Sequence, residues 1–333
     1  MTTAFAHFNE LVSTASTIVI TSHINPDGDA IGSETALALF LKDMGSSVRV
    51  INQSPTPDNL QFLSDEIFPV ELYEQTRHAA LIRAADLIII VDTNAPNRFF
   101  ALAGDIAANN GRTICIDHHL EPEEFADLYI VDAEATATSE LLYRLFHYIK
   151  ADGITTAVAR ALYAGIMTDT GSFRFPKTDV ETHTITADLL RRGVDPSAMY
   201  QAIYDNGPVN KLQLLGRALD SIRTIESGAV AWMVLRQNDF DETTTVAADT
   251  DNLINYTLSI GGVRIGLLFT DVDGVVKVSF RSKGDIWINK LAKEFGGNGH
   301  KHAAGARITG RAIDDIIGEV TSRARTYIQT VAD

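Results

Sequence analysis

Apolar residues in the first half of the chain come in short unbroken runs rather than in alternation. Thr17–Thr21 (TIVIT), Ser47–Ile51 (SVRVI), Asp86–Val91 (DLIIIV), Thr113–Ile116 (TICI) and Leu128–Val131 (LYIV) read as five strands. Around them, apolar residues recur at helical spacing over Ile31–Met44, Thr138–Lys150, Thr155–Thr168 and Asp179–Arg192. A strand that is apolar on both faces must be covered on both. Such runs interleaved with helices predict a mostly parallel sheet between helical layers.

The pattern breaks at Gly193-Val194-Asp195-Pro196 and again at Asn206-Gly207-Pro208, two turn-rich stretches. They predict a first domain over 1–192, a linker over 193–210 and a second domain over 211–333. The second domain reads as a helix over Lys211–Ile225, a strand over Ala229–Leu235, a helix over Asn252–Ile260, and strands over Val263–Thr270 and Val275–Arg281. The last two flank Asp271-Val272-Asp273-Gly274, whose Asp-Gly pair predicts a hairpin. Ile288, Leu291, Ala292 and Phe295 lie at helical spacing before Gly296-Gly297. The fold class is therefore α/β, with a smaller α/β domain following a larger one.

Charge changes the picture. The 333-residue chain carries a formal net charge of −15. Residues 1–210 hold 13 Lys and Arg against 28 Asp and Glu, whereas residues 211–333 hold 15 of each. The whole acidic excess lies in the first domain. Such a chain is a poor partner for long nucleic acid, including duplexes, and for anionic membranes. A small phosphorylated substrate held by a few local cations remains compatible with it.

The single cysteine, Cys115, excludes a disulfide framework and a Cys-rich zinc module, and its apolar run predicts a buried thiol. No run approaches the roughly 18 apolar residues of a membrane span, and no signal peptide is visible, so a soluble cytoplasmic protein is expected. His7, His78, His147 and His183 read as structural or exposed. Trp232 and Trp287 lack basic residues interleaved around them in sequence, so neither is expected to form a base-stacking platform.

Four clusters carry chemistry. Ser22-His23-Ile24-Asn25-Pro26-Asp27-Gly28-Asp29 follows the first strand, Asp92-Thr93-Asn94 the third and Asp117-His118-His119 the fourth; Asp169 ends a helix. In a parallel sheet the carboxyl ends of the strands open into the ligand crevice, so the strand-end clusters should converge. Singly, Asp27-Gly28-Asp29 reads equally as a turn, Asp92 as a cap and Asp169 as a turn residue. Asp117-His118-His119 does not reduce to packing in the same way. Five carboxylates in one crevice repel without a cation. Carboxylates with imidazoles and no thiolate suit Mn²⁺ or Mg²⁺, and Fe²⁺, Co²⁺ and Zn²⁺ also fit. There are ligands enough for two ions, the usual device for hydrolysing phosphate esters.

These motifs resemble those of the DHH family of phosphoesterases. SHINPDGDAIGS, VDTN, IDHH and YAGIMTDTGSFRF match the family's four motifs in order. Gly296-Gly297-Asn298-Gly299-His300-Lys301-His302-Ala303-Ala304-Gly305 resembles the glycine-rich motif of the associated DHHA1 domain, with Asn298 interrupting the glycine run. The compact layout is most similar to that of family members that degrade very short RNA and dephosphorylate 3′-phosphoadenosine 5′-phosphate.

The resemblance implies that His23 and Asp27 bind one metal, that Asp29, His118 and Asp169 bind another, and that Asp92 bridges them. Mn²⁺ is the first choice and Mg²⁺ the alternative. It implies that Asp117 orients a neighbouring histidine, that His119 meets the substrate phosphate or the nucleophile, and that Arg281 and His300 clamp phosphate. Ser282, Gly297 and Gly299 join them in substrate binding; His302, where close relatives commonly carry Asn, reads as a base or ribose contact or as a surface residue, and Arg174 as a phosphate contact or a surface ion pair. The active site is expected in a cleft between the domains. Hydrolysis of short RNA, dinucleotides such as pApA and pGpG, and 3′-phosphoadenosine 5′-phosphate follows, by two-metal activation of water. A homodimer is the expected assembly. The rival readings are a pyrophosphatase or exopolyphosphatase, a single-stranded exonuclease, and a nucleotide sensor without turnover.

Overall fold

The computed structural model describes residues 1–120, 122–250 and 252–329. They form two compact units, Met1–Asn206 and the residues from Gly207 onward, described in turn.

In the first unit the strands are β1 (Thr17–Thr21), β2 (Ser47–Asn52), β3 (Val70–Leu72), β4 (Leu87–Val91), β5 (Arg112–Asp117) and β6 (Leu128–Val131). Its helices are α1 (Thr2–Thr14), α2 (Gly28–Asp43), α3 (Gln61–Asp65), α4 (Gln75–Ala84), α5 (Leu102–Ala107), α6 (Thr138–Lys150), α7 (Thr156–Asp169), α8 (Val180–Arg191) and α9 (Pro196–Tyr204). The sheet runs β3-β2-β1-β4-β5-β6 and every pairing is parallel.

The unbroken apolar runs are explained by what lies on each face. Ile18, Ile20, Leu87, Ile89, Val91, Ile114 and Ile116 join one core with α1, α2, α6 and α7. Val19, Ile51, Ile88 and Ile90 join a second with α4 and α5. Each fully buried Ile contributes roughly 1.5–3 kcal/mol relative to an exposed one. Cys115 lies fully buried in β5.

The expected linker is mostly helix. Asp195 caps α9 by accepting the N–H groups of Ser197 and Ala198, with Pro196 at the first turn. Met199 and Ile203 then bury in the first core. Asp-Pro marks a helix start as well as a break, and here the start prevails. The units divide after Asn206.

In the second unit the strands are β7 (Arg223–Ile225), β8 (Val230–Leu235), β9 (Ile265–Val272), β10 (Val275–Ser282), β11 (Asn298–His300) and β12 (Ala303–Thr309). The helices are α10 (Val209–Asp220), α11 (Gln237–Thr243), α12 (Asn255–Leu258), α13 (Ile288–Glu294) and α14 (Ile313–Gln329). The sheet runs β11-β12-β10-β9-β8-β7 and is antiparallel except between β8 and β9. The expected hairpin is present: Val272 pairs with Val275, and Asp273 and Gly274 both have positive φ, as a two-residue turn of this kind requires. The helix expected over Lys211–Ile225 stops at Asp220, and its last residues form the edge strand β7.

Candidate metal centre

Local chemistry sets each side chain of the acidic cluster. Asp27 caps α2, its Oδ1 accepting the N–H groups of Asp29 and Ala30 at 3.0 and 3.1 Å. Asp92 turns the chain out of β4 with φ 60°, a conformation Asp tolerates better than most residues. Its N–H still donates to Ile116 of the neighbouring strand at 3.0 Å, so the turn is anchored. Asp117 is the last residue of β5 and Asp169 the last of α7.

These elements bring the side chains together. Among the described residues three groups have ligand atoms within 4.8 Å of one another: His23, Asp27 and Asp92; Asp29, His118 and Asp169; Asp92, His118 and His119. Asp92 and His118 each belong to two of them. Close packing of α2 on α7 makes this possible. A Cβ on Gly32 would sit 2.6 Å from the Ala161 carbonyl oxygen, and one on Gly165 would sit 2.7 Å from Asp29 Oδ1.

The imidazoles are oriented by hydrogen bonds on the ring side away from the cluster. His23 Nδ1 lies 2.8 Å from the Ile24 carbonyl oxygen, and its Nε2 faces Asp92 Oδ2 at 3.4 Å. His118 Nδ1 lies 3.3 Å from the Ala135 carbonyl oxygen, and its Nε2 faces Asp169 Oδ2 at 3.4 Å and Asp92 Oδ1 at 3.7 Å. A carbonyl partner holds the proton on Nδ1 and leaves Nε2 an acceptor, the arrangement of a metal-binding histidine. His119 differs: its Nδ1 lies 2.7 Å from Oδ1 of Asp117, a fully buried carboxylate.

The electrostatics fit a cation. Burial, then the carboxylates of Asp29 and Asp27, hold the Asp92 carboxyl well above its usual range. Burial and the same two neighbours raise Asp169. Burial lowers the His23 imidazole against the opposing pull of Asp27, and Arg98 lowers it further. His23 Nε2 and His118 Nε2 each face a carboxyl oxygen across 3.4 Å, close enough for one positive ion to be shared by both atoms. The donors are oxygen and nitrogen without thiolate, as hard and borderline divalent ions prefer.

Thr138 and Ser139 were not legible as site residues in the sequence, and the sequence did not show what Asn94 bonds. The N-terminus of α6 holds Asp29, with Thr138 N–H donating to its Oδ2 at 2.6 Å and Ser139 N–H to its Oδ1 at 2.9 Å. The Thr138 hydroxyl also donates to Asp92 Oδ1 at 3.0 Å. In sequence Thr-Ser-Glu reads only as a helix start. The Asn94 amide donates to the His119 carbonyl at 3.0 Å, bracing the loop that carries the paired histidines.

The remaining candidates fall elsewhere. Arg281 is half-buried on β10, its guanidinium donating to the Phe280 carbonyl at 3.1 Å. The Ser282 hydroxyl is buried, 2.6 Å from the Ile286 carbonyl oxygen and 3.1 Å from His302 Nδ1. Gly297 and Gly299 meet needs of the fold itself: a Cβ at either would lie within 2.4 Å of a backbone carbonyl oxygen, that of Gly305 or Ala303. The His300 side chain lies outside the described residues. Arg174 is exposed and lies over the Phe175 ring, 5.7 Å from its centroid.

Known proteins are similar to this chain in sequence and in fold. The family model described as "DHH family, N-terminal domain" matches residues 17–166, and that described as "DHHA1 domain" matches residues 215–326. The bifunctional oligoribonuclease and PAP phosphatase NrnA of Bacillus subtilis is 30% identical over 306 residues, 90% of this chain and 92% of that protein. The structure of an exopolyphosphatase-related protein from Bacteroides fragilis matches with a TM-score of 0.95 at 32% identity, covering 100% of this chain and 98% of that one. A structure of the exonuclease RecJ bound to manganese shares the fold, with a TM-score of 0.53 at 15% identity and coverage of 97% and 94%.

Proposed function

Because the chain belongs to the DHH family, with a DHHA1 domain behind the DHH domain, we propose that it is a phosphoesterase acting on very short RNA and small nucleotides. The observation that carries this reading is the convergence of three His/Asp groups that share Asp92 and His118. Two divalent ions would be held there, one by His23, Asp27 and Asp92 and the other by Asp29, His118, Asp169 and Asp92. Mn²⁺ suits the imidazoles better than Mg²⁺ does. Such ions, when bound, supply an acidified water and neutralise charge on the phosphoryl group.

The chain's own residues prepare the site. Asp117 fixes the orientation of the His119 ring, so that His119 can give or take a proton at the phosphate oxygens. Carbonyl partners aim His23 and His118. Arg281, with its planar fork, and His300 bind phosphate from the second domain. Linear dinucleotides such as pApA and pGpG, and the 3′-phosphate of 3′-phosphoadenosine 5′-phosphate, are the proposed substrates, and the cytoplasm is where they would be met. The acidity of the first domain favours oligomers of a few nucleotides over long strands.

The test is a product assay on pApA, 3′-phosphoadenosine 5′-phosphate, pyrophosphate and a 24-mer RNA, each with Mn²⁺ or Mg²⁺. Turnover of the two small nucleotides above the others is the expected result. Preference for pyrophosphate would sink this reading.

A further inference from the structure

Trp287 stands out of the second unit on a rigid mount. Its neighbours Ile286 and Ile288 are both buried in the core, 1% and 0% exposed, whereas Trp287 is 49% exposed. The backbone is pinned on both sides of it. The Ser282 hydroxyl bonds the Ile286 carbonyl at 2.6 Å, and the Ile288 N–H donates to the Lys301 carbonyl at 2.8 Å. Half of the indole is thus held in water by the fold, apolar surface that gains nothing from folding.

Two cations face it. The ammonium groups of Lys290 and Lys301 lie 4.8 and 5.4 Å from the Trp287 ring centroid, within the range of attraction to an aromatic face. Among the described residues neither lysine has an acidic partner, although the chain as a whole has many more acids than bases. Lys301 belongs to the segment joining β11 to β12, so the aromatic ring sits against the glycine-rich motif. In sequence the two lysines stand three and fourteen residues from Trp287, which hides the cluster.

We propose that Trp287 is a stacking platform for a nucleobase, with Lys290 and Lys301 receiving the phosphate of the same nucleotide. An exposed aromatic ring flanked by unpaired cations is the arrangement that binds single-stranded nucleotides without reading their sequence. A substrate made only of phosphate would not use the ring. This inference rests on the proposed phosphoesterase reading and adds the group that selects nucleotides over bare phosphate esters.

The experiment uses the intact chain and its own fluorescence. Trp287 and the half-buried Trp232 are the two tryptophans. AMP should quench the emission of the wild type and leave that of Trp287→Phe unchanged, with ribose 5-phosphate, which lacks a base, quenching neither. With pApA as substrate, Trp287→Ala should raise KM about 10- to 100-fold at unchanged kcat, and Trp287→Phe should recover most of the loss. Quenching by AMP that persists in Trp287→Phe, or an unchanged KM in Trp287→Ala, would overturn the proposal. If the wild type releases no product from pApA while AMP still quenches Trp287, the phosphoesterase reading fails and the platform stands.

Discussion

Asp117 and His119, two residues apart at the end of one strand, meet at 2.7 Å between Oδ1 and Nδ1, with the carboxylate wholly buried. Among the described residues, Asp117 belongs to none of the groups whose atoms could hold an ion. Asp117→Asn should therefore lower kcat on pApA by about 10- to 100-fold and leave bound Mn²⁺ unchanged by elemental analysis. Loss of the metal would make Asp117 a ligand instead.

Chelation should abolish turnover and added Mn²⁺ should restore it. In chelator-treated protein, Mn²⁺ at a hundred times its Kd should stabilise the fold by about 2.7 kcal/mol, seen as a rise in Tm. His118→Ala, which removes a side chain from two of the groups, should lose most of that rise. Arg281→Ala should keep the rise and increase KM. A loss of metal binding in Arg281→Ala would refute its assignment to phosphate.

Gly32 lets α2 lie against α7, and through that contact Asp29 reaches Asp169. Its missing Cβ would strike backbone, which cannot rotate aside as a side chain can. Gly32→Ala should cost about 1–3 kcal/mol of stability and weaken Mn²⁺ binding measured by calorimetry. An unchanged affinity would mean that the ligands do not depend on this helix contact.

Glu34 is fully buried on α2 behind the first cluster. Asn52 donates to its Oε2 at 2.8 Å, while among the described residues Oε1 makes no hydrogen bond. Burial pushes its carboxyl up to about 7 from an ordinary 4.5, against the pull of Asn52 and Ser22. The folded chain thus holds this proton more tightly than the unfolded chain does. Stability falls as pH rises from about 4.5 to about 7 and stays reduced above that range. Glu34→Gln keeps the acceptor for Asn52 and removes the titration. It should exceed the wild type in stability at pH 8 by on the order of 3 kcal/mol and match it near pH 4.5. Melts showing the same gap at both pH values would contradict this.

The five longer strands of the first sheet were legible because β1, β4, β5 and β6 are apolar on both faces and β2 carries Val48, Val50 and Ile51. β3 was not, since its three residues form an edge with no buried side chain. Asp195-Pro196 read as a break, because capping and chain reversal use the same residues and only the burial of Met199 and Ile203 decides between them. The acidic cluster was legible because most of its side chains follow strands directly and Asp169 ends a helix. Thr138 and Asn94 act through a backbone N–H, a hydroxyl and an amide that reach across the fold, and residue type alone carries no sign of that reach. Trp287 escaped for a related reason: its cations come from a helix and a turn that sequence distance separates.

Cys115 lies two residues before Asp117 on β5, with no surface exposed. Burial, reinforced by the Asp117 charge, pushes its thiol far up, so the nucleophilic thiolate does not form in the folded protein. The chain's one sulfhydryl is therefore chemically silent. Cys115 in the native protein should resist alkylation and peroxide without added reductant, and a single cysteine introduced at any exposed position could be labelled with a spectroscopic probe on the unaltered background.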